Sequence, residues 1–156
     1  MWLSSRRGFL SAALVLAGCG LTPVMEPGLQ QLYNQILIQA PLNRAEYELV
    51  RNLEAQLGVA KSAHFVLHYE LNVTEDNIVV SAAQEISRYS LVGALDYSLL
   101  DSKGAVLTRQ TGKSFTGYSA TGTTVATQRA KRDAYDRLMV ILADQVSTAL
   151  LTLDLP

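Results

Sequence analysis

Apolar and polar residues alternate one by one along Phe65-Val66-Leu67-His68-Tyr69-Glu70-Leu71-Asn72-Val73. Phe65, Leu67, Tyr69, Leu71 and Val73 therefore share one side, and His68, Glu70 and Asn72 share the other. A two-residue period is that of a strand with one face in a core and the other wet or covered by a partner. The alternation returns from Arg88 to Leu100, with Tyr89, Leu91, Leu95, Tyr97 and Leu99 inward, and predicts a second long strand. Asp101-Ser102-Lys103-Gly104 reads as a tight turn in which the glycine takes the strained backbone position. It leads into a strand over Val106 to Tyr118, hairpin-related to the one before. A shorter alternation over Leu32 to Gln39, with Ile36 and Ile38 on one face and Pro41 beyond, predicts an opening strand. Thr74-Glu75-Asp76-Asn77 reads as a polar turn before a further strand, Ile78-Val79-Val80, whose register the pattern leaves open.

Two segments carry a helical period instead. Asn43 is placed to cap a helix, with Glu46 three residues on as in a capping box, and Leu42 and Tyr47 flank the cap at hydrophobic-staple spacing. Tyr47, Val50, Leu53 and Leu57 then recur at three- and four-residue steps until Gly58 supplies the stop. The second helix is expected from Val125 to about Leu151, capped by Thr124 after the small-residue loop Ser119–Thr124. Its apolar stripe is Ala134, Leu138, Ile141, Leu142, Val146, Ala149 and Leu150, opposite Arg129, Arg132, Asp133, Asp136 and Asp144. At 1.5 Å per residue it would run about 40 Å, longer than a four-stranded sheet is wide. The order β-α-β-β-β-α predicts an α+β fold: a two-layer sandwich of about four strands in a mixed or antiparallel sheet, with both helices on one face.

The first residues follow a different logic. Arg6 and Arg7 precede a short apolar run, Phe9 to Gly18, which ends in Leu16-Ala17-Gly18-Cys19. Positive charge, a run about half the ~20 residues a bilayer span needs, and small residues at its end describe a processed export signal. The tetrapeptide looks like a bacterial lipobox, in which cleavage precedes the cysteine and Cys19 receives a diacylglycerol and an N-acyl chain. Ser5-Arg6-Arg7-Gly8-Phe9-Leu10 resembles a twin-arginine signature, and the general secretory route stays open beside it. Either route leads to the periplasm, and Gly20 after the cysteine favours the outer membrane. The expected organisation is a signal peptide over 1–18, a lipidated tether over 19–30 containing Pro23 and Pro27, and one α+β domain over 31–156. With two or three acyl chains on Cys19, release from the membrane is effectively closed.

Composition narrows the function. The net charge is −1 and charged residues make up 17% of the chain, without the basic excess of a nucleic-acid binder. Cys19 is the only cysteine, and with it acylated no thiol remains for a disulfide or a cysteine-ligated metal. Gly112-Lys113-Ser114 ends like a phosphate-binding loop, but Leu107 stands where the motif needs glycine, and the triplet lies within a strand. Gly112 is then expected to mark a bulge or the close approach of another backbone. His64 and His68 would lie about 13 Å apart on a strand, too far to share a metal ion. Glu70, Asp96 and Asp101 have no histidine, serine or second carboxylate in a convincing sequence relation, which leaves only carboxylate pairs from distant strands. No catalytic residue and no metal site is expected. Arg88, Arg109 and Lys113, with Lys103 at the turn, either converge into a contact for acidic phosphates or form a solvated rim. Tyr118, beside the small-residue loop, is the tyrosine expected near a partner.

Taken together, the chain resembles the LptE family of lipopolysaccharide-assembly lipoproteins. The resemblance is carried by Leu16-Ala17-Gly18-Cys19-Gly20-Leu21-Thr22-Pro23-Val24, the strand–helix opening, the Arg88 to Leu100 strand, the Tyr118-Ser119 approach to the last helix, and Ala134-Tyr135-Asp136-Arg137-Leu138 within it. Leu21 replaces the family's usual aromatic, and Val24-Met25 lacks its frequent tyrosine. The resemblance implies an outer-membrane lipoprotein, anchored on the periplasmic face, that plugs and helps assemble an LptD-like β-barrel inserting lipopolysaccharide into the outer leaflet. Arg88, Lys113 and Tyr118 are the residues it offers for lipopolysaccharide or partner contact, chosen by location. No cofactor is expected beyond the lipid on Cys19. The alternative is an auxiliary lipoprotein of a lipid-transporting ABC system, with the same anchor, size and fold class.

Overall fold

The computed structural model describes residues 32–80, 86–120 and 122–153. Cys19, the signal and the tether lie outside the described residues. Six elements follow in the expected order: β1 (Ile36–Ile38), α1 (Arg44–Leu57), β2 (Phe65–Val80), β3 (Ile86–Asp101), β4 (Val106–Ser119) and α2 (Thr124–Leu151). The strands lie side by side as β1-β2-β3-β4, with β1 parallel to β2 and the other pairs antiparallel. This is the mixed-sheet α+β architecture that the pattern predicts.

Several local expectations change. The opening strand is only three residues long, because Leu32 is fully buried and the chain turns at Tyr33–Gln35 before extending. Asn34 takes φ 60° there, and its N–H donates to the Leu57 carbonyl at 2.9 Å, joining the turn to the end of α1. Gly58 closes that helix at φ 78°, and a Cβ on it would lie 2.2 Å from Asn34 Oδ1, so a side chain is excluded twice over. At the other end the Asn43 cap forms as expected, accepting from the Glu46 N–H at 3.0 Å. The Glu46 carboxylate returns to the Leu42 N–H (2.7 Å) and the Asn43 amide (2.6 Å). The staple does not form as buried packing: Leu42 is 86% and Tyr47 58% exposed. Val50, Leu53 and Leu57 face inward as the stripe predicts, but Leu49 and Glu46 join them and Tyr47 does not.

The larger correction concerns Thr74–Asn77. There is no turn. β2 runs unbroken for 16 residues, because β3 is equally long and pairs with it from Phe65↔Asp101 to Val80↔Ile86, with irregularity only after Asn77. Pairing with β3 satisfies the backbone groups of Thr74 and Asp76, half of those a polar tetrapeptide would otherwise present to water. The turn at 101–104 does form: Asp101 Oδ1 accepts from the Lys103 and Ala105 N–H groups, both at 2.8 Å, and Gly104 has φ 83°.

One sheet face carries Ile36, Ile38, Leu67, Tyr69, Leu91, Leu95, Tyr97 and Leu99, all buried beneath both helices. α2 is capped by Thr123, whose hydroxyl accepts from the Ala126 N–H, rather than by Thr124. Its stripe is Ala134, Leu138, Met139, Leu142, Ala143, Val146, Ser147 and Leu150. Ile141 is 37% exposed, because it sits one position, about 100°, away from Leu142 at the stripe's centre. Gly93 lets the helix come down: a Cβ there would lie 3.0 Å from Leu138 and 3.1 Å from Leu142. Gly112 has the same use and no bulge, since its nearest neighbour is Gln145 Oε1 of α2 and not another backbone.

Candidate functional site

Among the described residues, nothing covers the face of the sheet turned away from the helices. The pairings stack its residues in rungs across β2, β3 and β4: Val66–Leu100–Val106, His68–Ser98–Arg109, Glu70–Asp96–Thr111, Asn72–Ala94–Lys113 and Thr74–Val92–Phe115. The middle rungs are polar and the outer ones apolar, with Phe115 75% exposed. Glu70 and Asp96, which sequence spacing left unrelated, stand directly opposite one another on solvent-facing positions. Like charges so placed oppose pairing. Thr111 donates to Asp96, and Arg109 lies on the next rung beside His68, whose Nδ1 is 3.1 Å from Gln39 Oε1. His68, Glu70, Asp96 and Arg109 border a shallow recess of about 250 Å³. The carboxylate pair is open to water and not set in an apolar pocket, so it lacks the surroundings that tune acid–base catalysts.

The four cations do not converge. Arg88 pairs with Ser119, Lys113 with Ala94 and Arg109 with Ser98, while Lys103 sits in the hairpin turn. Six residues of strand, about 20 Å, separate the Arg88 and Lys113 rungs. They form a solvated row along one face.

Tyr118 lies on the opposite face, 7% exposed beneath α2. Its ring stacks on Tyr89 with centroids 5.0 Å apart and planes 7° from parallel. Its hydroxyl donates to Glu75 Oε1 at 2.5 Å, and Glu75 Oε2 pairs with Lys131 Nζ of α2 at 2.5 Å. Burial pushes the Glu75 carboxyl up, but the hydrogen bonds from Lys131 and Tyr118 outweigh it, and its pKa falls below the ordinary value. The bond to Glu75 raises the Lys131 pKa, and burial followed by the bond to Glu75 raises that of Tyr118. Sequence reasoning missed Glu75 and Lys131; extending the β2 alternation two more steps would have put Glu75 on the helix side. Lys131 also borders a cleft of about 320 Å³ between the start of α1 and α2, with Arg44, Arg132 and Asp136 around apolar walls from Ala45 and Tyr135. Nearby, the Tyr69 hydroxyl is buried without a hydrogen bond of good geometry, and burial, then the charge of Glu46, pushes its pKa up to about 12.

Among the described residues, no three histidine or acidic side chains are grouped to hold a metal ion, and no helix is long and apolar enough to cross a membrane. The family model for LptE, lipopolysaccharide-assembly, matches residues 29–150, which is the whole two-layer domain. The chain belongs to the LptE family. Solved structures share the fold. A Caulobacter crescentus protein described as a lipoprotein superposes with TM-score 0.66 at 21% identity, over 80% of this chain and 94% of its own. The rare lipoprotein B of Shewanella oneidensis gives 0.58 at 10% identity, over 74% and 91%. A minor lipoprotein of Acinetobacter baumannii gives 0.55 at 16%, over 75% and 88%. Identities this low carry the architecture and nothing more. Among curated proteins, none matches the sequence. Membership in the LptE family associates the chain with lipopolysaccharide assembly, and the signal and Cys19 read from the sequence accord with the lipoproteins of that group.

Proposed function

We propose that this protein is an outer-membrane lipoprotein, anchored through Cys19 on the periplasmic face, that acts as plug and assembly partner of an LptD-like β-barrel in lipopolysaccharide insertion. The observation that carries the reading is the family match across the entire folded domain. The form of the domain is compatible with it. A two-layer wedge with an uncovered, mostly polar sheet face suits a water-filled, polar barrel lumen. The lipid confines it to the membrane in which such a barrel sits, raising its effective concentration. In this reading Arg88 and Lys113, exposed on that face, meet lumen or lipopolysaccharide groups, whereas Tyr118 supports the end of the sheet from inside. The protein works by occupying its partner and not by turning over a substrate.

Purification of the full chain in mild detergent tests the reading. Recovery of a large β-barrel protein with it is the expected result. Recovery of an inner-membrane ABC transporter instead would replace this reading with the auxiliary-lipoprotein alternative.

A further inference from the structure

The two edges of the sheet are treated differently. Along β4, side chains of α2 reach over the rim: Gln145 Nε2 donates to the Lys113 carbonyl and Arg137 to the Gly117 carbonyl, each at 3.2 Å. The spacings match, since four strand residues and eight helix residues both span about 12–13 Å. Two carbonyls of that edge are thereby capped. At the other rim, β1 covers only Phe65–Leu67 before the chain leaves the sheet near Pro41. The Phe65 N–H donates to the Gln35 carbonyl and the Leu67 carbonyl accepts from the Gln39 N–H, so odd-numbered residues of β2 direct their backbone groups outward. The register holds without a shift as far as Asn77. The N–H and C=O groups of Tyr69, Leu71, Val73, Glu75 and Asn77 therefore face the rim, and among the described residues none of them has a partner. Beside this bare edge, Leu71 and Val73 are half-buried toward the helices, while Glu70 and Asp76 stand exposed on the open face.

We propose that the Tyr69–Asn77 edge of β2 accepts an extended segment of a partner polypeptide as an added strand, continuing the line of β1. The segment it fits alternates apolar residues, which extend the Leu71–Val73 row, with basic residues opposite Glu70 and Asp76. Main-chain hydrogen bonds supply the attraction and the alternating side chains the selectivity. A second copy of this chain fits poorly. The antiparallel register that pairs the whole bare edge is centred on Val73, and it sets Glu70 against Asp76 twice, a repulsion that blocks self-pairing. The inference goes beyond the plug reading and does not depend on the partner being a barrel.

Amide exchange of the full chain in detergent micelles provides the test, with two synthetic peptides as probes: one alternating lysine with valine and threonine, the other with glutamate in place of lysine. The lysine peptide is expected to slow exchange at Leu71, Val73 and Glu75 at least tenfold at saturation, and the glutamate peptide to leave it unchanged. The double substitution Glu70→Lys, Asp76→Lys alters only exposed side chains and is expected to reverse that preference. Absence of protection at these amides, equal protection by both peptides, or protection along β4 instead would each overturn the proposal.

Discussion

Tyr118, Glu75 and Lys131 form a hydrogen-bonded polar group at the edge of the helix layer, and its pH behaviour follows from the directions of its shifts. The Glu75 pKa is lowered on folding, so its contribution is present above the ordinary glutamate value and lost as pH falls through the folded one. The pKa values of Lys131 and Tyr118 are raised, so their contributions are complete below the ordinary values near 10 and lost at more alkaline pH. Tyr118→Phe removes a hydrogen bond to a partly exposed carboxylate and is expected to cost about 1–2 kcal/mol at neutral pH. In urea titrations the gap between wild type and Tyr118→Phe should shrink as pH falls from the ordinary glutamate range through the lowered pKa of folded Glu75. A gap unchanged with pH would mean that ring packing on Tyr89, and not the carboxylate, sets the cost. At this scale the sequence pointed to Tyr118 but not to its partners. Glu75 and Tyr118 are 43 positions apart, and nothing local announces that two strands will bring them together.

For the elements, local periodicity carried most of the information. Both helices, the 101–104 turn, β3 and β4 lie within a residue or two of where spacing puts them, because those signals act over a few residues. The failures share one cause: a polar stretch or an ambiguous stripe was judged without its neighbour. Thr74–Asn77 looked like a turn until β3 supplied a partner for each residue, and Ile141 looked inward until Gly93 fixed where α2 touches the sheet. The helix stripe is testable by a contrast. Leu138→Asp buries an unpaired carboxylate against Gly93 and is expected to unfold the domain, a loss of several kcal/mol. Ile141→Asp, at the helix's outer flank, should shift the thermal midpoint only slightly. Equal effects in thermal denaturation would show the stripe to be misassigned.

At the scale of the whole fold, a helix layer buries one sheet face, and among the described residues the other face and one edge of β2 are left open. A monomer with no further contacts would have little use for so much unpaired strand, and edges of this kind are normally blunted. The Gln145 and Arg137 contacts do so on β4, which makes the bare stretch of β2 a difference within one sheet. In the proposed function a lipid on Cys19 holds these surfaces at the membrane. Cys19→Ala is expected to move the protein from the membrane pellet to the soluble fraction after fractionation, since no described helix can span a bilayer. Retention in the pellet at the wild-type level would show that something other than the cysteine anchors it.

The amino-acid sequence alone specified the order and type of the elements and the family, and it is the sole ground for expecting an export signal and an acylated cysteine. Each of these is written in short-range pattern: charge and small residues around Cys19, period two in strands, period near four in helices. Tertiary structure alone decided how far β2 and β3 run together, that Glu70 faces Asp96, that Glu75 is held between Tyr118 and Lys131, and which sheet edge is left bare. Alternation tells a strand which side is wet, but shifting a pair of strands by two residues preserves that pattern while changing every partner. Long-range register is settled by the packing of α2 onto Gly93 and by the lengths of the neighbouring strands.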